Sequence, residues 1–136
     1  MTTNVLLIED ERDLRAEMAA YLLSHGHRVS VCGSLEEATE LLENARDAAP
    51  DVILADLTLP DGDGATFYAA NASAQAHTRW VLMSDDRETV RLSAMLGNRR
   101  DLPGCVVVEK TVPLYTLDRF IHMAARSAPA YAGAVQ

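Results

Sequence analysis

The chain is poor in the features that would assign it to several large classes of protein. Cysteine is scarce: Cys32 and Cys105 are the two present, and their spacing matches no zinc or redox motif. They read as buried or half-buried thiols of a reducing compartment. No apolar run approaches the ~20 residues that a membrane-spanning helix needs. The start, Met1-Thr2-Thr3-Asn4, lacks the basic residues and apolar stretch of a signal peptide, so a cytoplasmic protein with no membrane partner is the expectation. Positive charge is also short, with 12 Lys and Arg against 20 Asp and Glu and a net charge of −8. A nucleic-acid backbone needs a basic face, so direct nucleic-acid binding by this domain is not expected. There is no internal repeat and no sign of a second domain; 136 residues suit one domain with a proper core.

What the sequence does have is a set of short apolar runs with abrupt polar ends. Val5-Leu6-Leu7-Ile8 stops at Glu9-Asp10, and Val52-Ile53-Leu54-Ala55 stops at Asp56. Trp80-Val81-Leu82-Met83 stops at Ser84, and Val106-Val107-Val108 runs through Glu109 to Lys110. Runs of this kind read as fully buried strands. Strands are expected over 4–8, 28–32, 51–55, 79–83 and 105–108. Helical spacing fills the gaps. Leu14, Met18, Tyr21 and Leu22 fall on one face of a helix over 11–25 that Gly26 would close. Ser34-Leu35-Glu36-Glu37 is a capping box ahead of Ala38, Leu41, Leu42 and Ala45. A less apolar helix is expected over 64–75 and another over 86–96. Pro113 fits the first turn of a last helix whose Leu114, Leu117, Ile121 and Ala124 share a face.

Five strands alternating with helices imply an α/β fold, a parallel sheet covered on both faces. The best candidate is a flavodoxin-like (βα)5 three-layer sandwich with strand order 2-1-3-4-5. That order puts Cys32 and Cys105 on opposite edges, too far apart to bridge. The domain is expected over 1–126, with 127–136 a tail or a truncated linker.

Open parallel sheets bind ligands at the carboxyl ends of their strands. Three acids (Glu9, Asp10 and Asp56), the Ser84 hydroxyl and the Lys110 amine would meet there. Oxygen ligands of this kind suit Mg²⁺, which also relieves the repulsion among clustered carboxylates. Asp56, just before the turn Pro60-Asp61-Gly62-Asp63-Gly64, is the best nucleophile, since carboxylates form acyl phosphates. Ser84 and Lys110 would help neutralise a phosphoryl group, as phosphoryl transfer requires.

These residues resemble the receiver domain of bacterial two-component response regulators. The resemblance covers about residues 4–126 and rests on Leu6-Leu7-Ile8-Glu9-Asp10-Glu11, on Asp56-Leu57-Thr58-Leu59-Pro60-Asp61-Gly62-Asp63-Gly64, on Met83-Ser84 and on Glu109-Lys110. It implies a phosphoacceptor regulatory domain with slow self-dephosphorylation rather than an enzyme in the ordinary sense. Asp56 would take a phosphoryl group from a histidine kinase or a phosphotransfer protein. Glu9, Asp10, Asp56 and the Thr58 backbone carbonyl would serve Mg²⁺, with Ser84 as switch hydroxyl and Lys110 as the paired lysine. Phosphorylation would reshape the face made by the fourth helix, fifth strand and fifth helix, through which a homodimer could form. Three positions depart from the pattern. Thr111 stands where proline usually follows the lysine, Val107 replaces the switch aromatic, and Asp85 replaces a small residue after the switch hydroxyl. Turned inward, the Asp85 carboxylate would repel phosphate; turned outward, the favoured placement, it would cap the fourth helix with Asp86. The link Gly97–Gly104, with Arg99-Arg100, is longer than usual and is a candidate partner contact.

Taken singly, each residue has a plainer reading: Glu9 and Asp10 as helix caps, Lys110 as a surface lysine, Ser84 as an N-cap. Their joint placement at strand ends outweighs these. Two rival functions stand beside the receiver. A degenerate receiver would act as a protein-binding module without phosphorylation. A haloacid-dehalogenase-type phosphatase would also use Asp, Ser and Lys, but needs an acid two residues after the nucleophile, where Thr58 stands. A calcium loop at Asp61-Gly62-Asp63-Gly64 fails because Ala72 occupies the twelfth position. His25-Gly26-His27 reads as a turn, and Met18, Met83, Met95 and Met123 as core or groove fillers.

Overall fold

The computed structural model describes residues 3–44, 49–75, 77–85, 105–110 and 113–126. The helix expected over 86–96, the link Gly97–Gly104, Thr111 and the tail from 127 lie outside the described residues. The elements are β1 (Asn4–Ile8), α1 (Arg12–Ser24), β2 (Arg28–Cys32), α2 (Leu35–Asn44), β3 (Val52–Asp56), β4 (Thr58–Leu59), β5 (Gly62–Asp63), α3 (Gly64–Asn71), β6 (Arg79–Ser84), β7 (Cys105–Glu109), a 3-10 turn (Leu114–Thr116) and a C-terminal helix (Leu117–Arg126).

Five strands form one sheet in the order β2-β1-β3-β6-β7, and every pairing in it is parallel. With the small hairpin β4–β5 set aside, this is the expected order, and the fold is flavodoxin-like α/β. Alternation within the strands divides the core into two layers, because successive side chains point to opposite faces. Leu6, Ile8, Ile53, Ala55, Trp80 and Leu82 pack with Ala38 of α2 and Phe67 and Tyr68 of α3. Val5, Leu7, Val52, Leu54, Val81 and Met83 pack with Met18 and Leu22 of α1 and with Leu117, Ile121 and Ala124 of the C-terminal helix. β3, in the middle, is buried at all five positions, whereas each of the edge strands β2 and β7 is buried at one. Trp80 anchors the first layer, edge-to-face with Tyr68 at 5.1 Å and Phe67 at 6.0 Å between ring centroids. Each such fully buried side chain contributes about 1.5–3 kcal/mol through burial.

Several local expectations are corrected. The turn expected over 60–64 is confined to Pro60 and Asp61, which join a short antiparallel hairpin with Thr58 opposite Asp63 and Leu59 opposite Gly62. α3 ends at Asn71 rather than 75, where the Asn71 side chain donates to the Phe67 carbonyl at 2.8 Å. It is also a well-buried helix, with Ala65, Phe67 and Tyr68 inside. Pro113 precedes the last helical segment in an extended conformation, and a 3-10 turn comes before the helix proper. Leu41 and Met123 are exposed, the first because α2 covers an edge strand and the second because it lies off the buried stripe of its helix. Gly26 adopts φ +87°, the left-handed conformation that closes α1. Cys32 and Cys105 are free thiols on opposite edge strands. No helix among the described residues is long and apolar enough to cross a membrane.

Candidate functional site

Parallel register brings the polar residues together. Ile8 pairs with Ala55, Ala55 with Leu82, and Leu82 with Val107. Glu9, Asp56, Ser84 and Lys110 therefore follow at one sheet edge. The Lys110 N–H donates to the Ser84 carbonyl at 2.7 Å, and the Leu57 N–H to the Met83 carbonyl at 3.0 Å. These bonds extend the sheet pairing past the ends of the strands.

Asp56 is 1% exposed. Its Oδ2 accepts from Lys110 Nζ at 2.7 Å and its Oδ1 from the Thr58 N–H at 3.1 Å. Glu9 is fully buried, and Lys110 Nζ stands 4.0 Å from its Oε1. Neither Glu9 oxygen receives a hydrogen bond among the described residues. Burial above all, then the negative charge of Asp56 and the carboxyl–carboxyl contact with it, push the Glu9 carboxyl up to about 7, against the pull of Lys110. Asp10 is exposed at the mouth of the site. Ligand oxygens of Glu9, Asp10 and Asp56 all lie within 4.8 Å of one another, the one such acidic or metal-ligating group of three among the described residues.

This donor set fits a divalent cation. Three hard oxygen donors converge, and two buried oxygens lack the partners that buried carboxylates normally have. The capping alternative loses ground as well, since the N-cap of α1 is Glu11, which makes no side-chain cap bond.

The remaining expected residues fall as follows. Ser84 is fully buried, one residue beyond the register partner of Asp56. Asp85 is exposed, and Val107 on the edge strand is 43% exposed. Two further residues help to shape the site, of which Arg15 carries no signal in the sequence. Arg15 Nη1 donates to the Glu9 carbonyl at 2.9 Å and occupies the space beside Gly33. Gly64, noted earlier as a turn residue, is required by close approach. A Cβ there would lie 2.4 Å from the Asp56 carbonyl oxygen, and its N–H donates to the Leu57 carbonyl at 2.7 Å. The start of α3 is thus packed onto the backbone of Asp56.

Sheet order, acid cluster and lysine together define a class, and comparison with known proteins agrees. The family model described as the response regulator receiver domain matches residues 5–100, and the chain belongs to that family. It is 37% identical over 93 residues to the KDP operon transcriptional regulatory protein KdpE of Escherichia coli, covering 68% of this chain and 40% of that protein. It is 38% identical over 97 residues to the transcriptional activator protein PfeR of Pseudomonas aeruginosa, covering 71% and 31% respectively. The chain thus spans less than half the length of these relatives. Among solved structures it resembles the chemotaxis response regulator CheY4 of Vibrio cholerae, with a TM-score of 0.72 at 20% identity over 91% of this chain and 99% of that one. The receiver domain from the hybrid histidine kinase CckA gives a TM-score of 0.70 at 20% identity over 90% and 99%.

Proposed function

We propose that this domain is a phosphorylatable receiver whose acceptor is Asp56. The observation that carries the reading is the buried Asp56 carboxylate bonded to Lys110 at 2.7 Å, with Glu9 and Asp10 oxygens within 4.8 Å. An Asp56 oxygen attacks the phosphorus of a phosphohistidine on a histidine kinase or phosphotransfer protein. The P–N bond breaks, and the departing imidazole keeps the electron pair and takes a proton. Lys110 follows the charge onto the phosphoryl oxygens, and Ser84 donates its hydroxyl to one of them. Glu9, Asp10, Asp56 and the Thr58 carbonyl would hold Mg²⁺, which when bound would neutralise the carboxylates and the incoming phosphoryl charge. The readout is a change on the face expected from the 86–96 segment, β7 and the C-terminal helix, which would serve a partner or a second copy. Slow self-dephosphorylation resets it.

Intact-mass measurement after incubation with Mg²⁺ and a small acyl phosphate tests this. One phosphoryl adduct is expected on the wild type and none on Asp56→Asn. No adduct from the acyl phosphate or from a kinase would overturn the reading in favour of a binding module, and steady turnover of phosphomonoesters would point to a phosphatase.

A further inference from the structure

The first four N–H groups of a helix have no partner within it and must find one elsewhere. At the start of α2 the N–H groups of Leu35 to Ala38 draw on two different sources. The Ala38 N–H bonds the Ser34 carbonyl at 3.1 Å, and the Glu37 N–H bonds Ser34 Oγ at 3.2 Å, both local. The Leu35 and Glu36 N–H groups instead reach across 26 and 25 residues to Asp61, to Oδ1 and Oδ2, each at 2.9 Å. Asp61 stands at the tip of the β4–β5 hairpin, in the loop that leaves the Asp56 strand. Gly62 is pressed against the same helix end: a Cβ there would meet Leu35 Cδ1 at 2.8 Å.

A ribbon of two residue pairs has no stability of its own and must be held from outside. The base of this one is held by α3, where the Gly64 N–H donates to the Leu57 carbonyl at 2.7 Å and the Ala65 N–H to Asp63 Oδ1 at 2.7 Å. Its tip is held by Asp61 on α2. Between the two anchors lies Thr58, whose N–H fixes Asp56 Oδ1.

We infer that Asp61 is a positioning residue for the phosphoacceptor site: by clasping two backbone N–H groups at the start of α2 it holds the Thr58 segment against Asp56 and the metal-binding acids. The inference rests on the receiver reading of that site. The α2 N-terminus favours the ionised carboxylate, and the two N–H bonds hold the Asp61 carboxyl below the usual carboxylate range.

The test measures Mg²⁺ affinity by calorimetry on the full chain, alongside unfolding in denaturant, for the wild type, Asp61→Ala, Asp61→Asn and Ser34→Ala. Ser34→Ala removes the local cap of the same helix without touching the hairpin, so it reports what a purely structural loss does. Asp61→Ala is expected to weaken Mg²⁺ binding by about tenfold, the scale seen when groups that orient metal ligands are removed. Ser34→Ala should stay within about twofold despite a comparable loss of stability. Asp61→Asn, which keeps one accepting oxygen, should fall between. Mg²⁺ should also slow amide exchange at Leu35 and Glu36 in the wild type but not in Asp61→Ala. Equal Mg²⁺ affinities for Asp61→Ala and Ser34→Ala, in a wild type that binds Mg²⁺ and takes the phosphoryl adduct, would overturn the role of Asp61 alone. A wild type that does neither would overturn the receiver reading and this inference with it.

Discussion

Two polar clusters in this domain, one buried and one partly exposed, shift their carboxyl groups in opposite directions. At the sheet edge, Glu9 and Asp56 are both almost wholly buried and share Lys110; burial first, and then the negative charge of Asp56, push the Glu9 carboxyl up to about 7. Between the start of β2 and the C-terminal helix, His27, 4% exposed, meets Asp118 Oδ1 at 2.6 Å, and His122 lies 3.9 Å from the other oxygen. There the hydrogen bond from His27 holds the Asp118 carboxyl below the ordinary carboxylate range. The His27–Asp118 pair fastens the start of β2 to the C-terminal helix. The excess of buried carboxylates at the sheet edge costs stability and suits a cation.

Lys110→Met should sharpen this contrast most. It strips the ammonium from between two buried carboxylates and should cost about 3 kcal/mol above neutral pH, with part of the loss recovered in Mg²⁺. Denaturant midpoints measured with and without the ion check it.

Glu9→Gln should act in the opposite direction. The native state holds the Glu9 proton from the ordinary 4.5 up to about 7, so the burden of ionising it is absent at low pH and complete above that upper value. The substitution should therefore stabilise the protein by about 2–3 kcal/mol at about pH 8 and by almost nothing at about pH 4. It should also weaken Mg²⁺ binding. In the wild type Mg²⁺ affinity should rise as pH passes through about 7, a rise that Glu9→Gln flattens.

Asp118→Ala should cost about 1–2 kcal/mol. Its pH sign is the reverse of that at Glu9. A depressed carboxyl lends stability above its ordinary 3.8 and loses it as pH falls through the native value, so the gap between wild type and variant should close in acid. Parallel pH slopes for Glu9→Gln and Asp118→Ala would contradict the opposite shifts of the two carboxyl groups.

Asp85→Ala should change least. The residue is exposed, and the rate of adduct formation should stay within about twofold. A large acceleration would mean that its carboxylate reaches the phosphoryl group in solution.

What could be read in the sequence was what repeats locally or ends abruptly. The strands show as apolar runs, and because parallel register carries strand ends to one edge, Glu9, Asp10, Asp56 and Lys110 could be grouped before any coordinates. The hairpin after Asp56 was harder, since Thr58-Leu59 and Gly62-Asp63 are too short to show a period. Asp61 on α2 and His27 on Asp118 were invisible for another reason. They join ordinary residues across 26 and 91 positions, and nothing in either local stretch marks the other. His25-Gly26-His27 was rightly placed in a turn, yet the turn does not show that its second histidine is buried against an acid. Leu41 looked like a core residue because helical spacing cannot tell a central strand below from an edge strand.

Asp56 is the proposed acceptor of the phosphoryl group. Reductive trapping with borohydride after exposure to Mg²⁺ and an acyl phosphate, followed by peptide sequencing, tests it most directly, because an acyl phosphate on aspartate is reduced to homoserine. Homoserine at position 56 is the predicted result. A phosphoryl group retained on Ser84 or Thr58, or an unmodified position 56 in protein that carries the adduct, would contradict it.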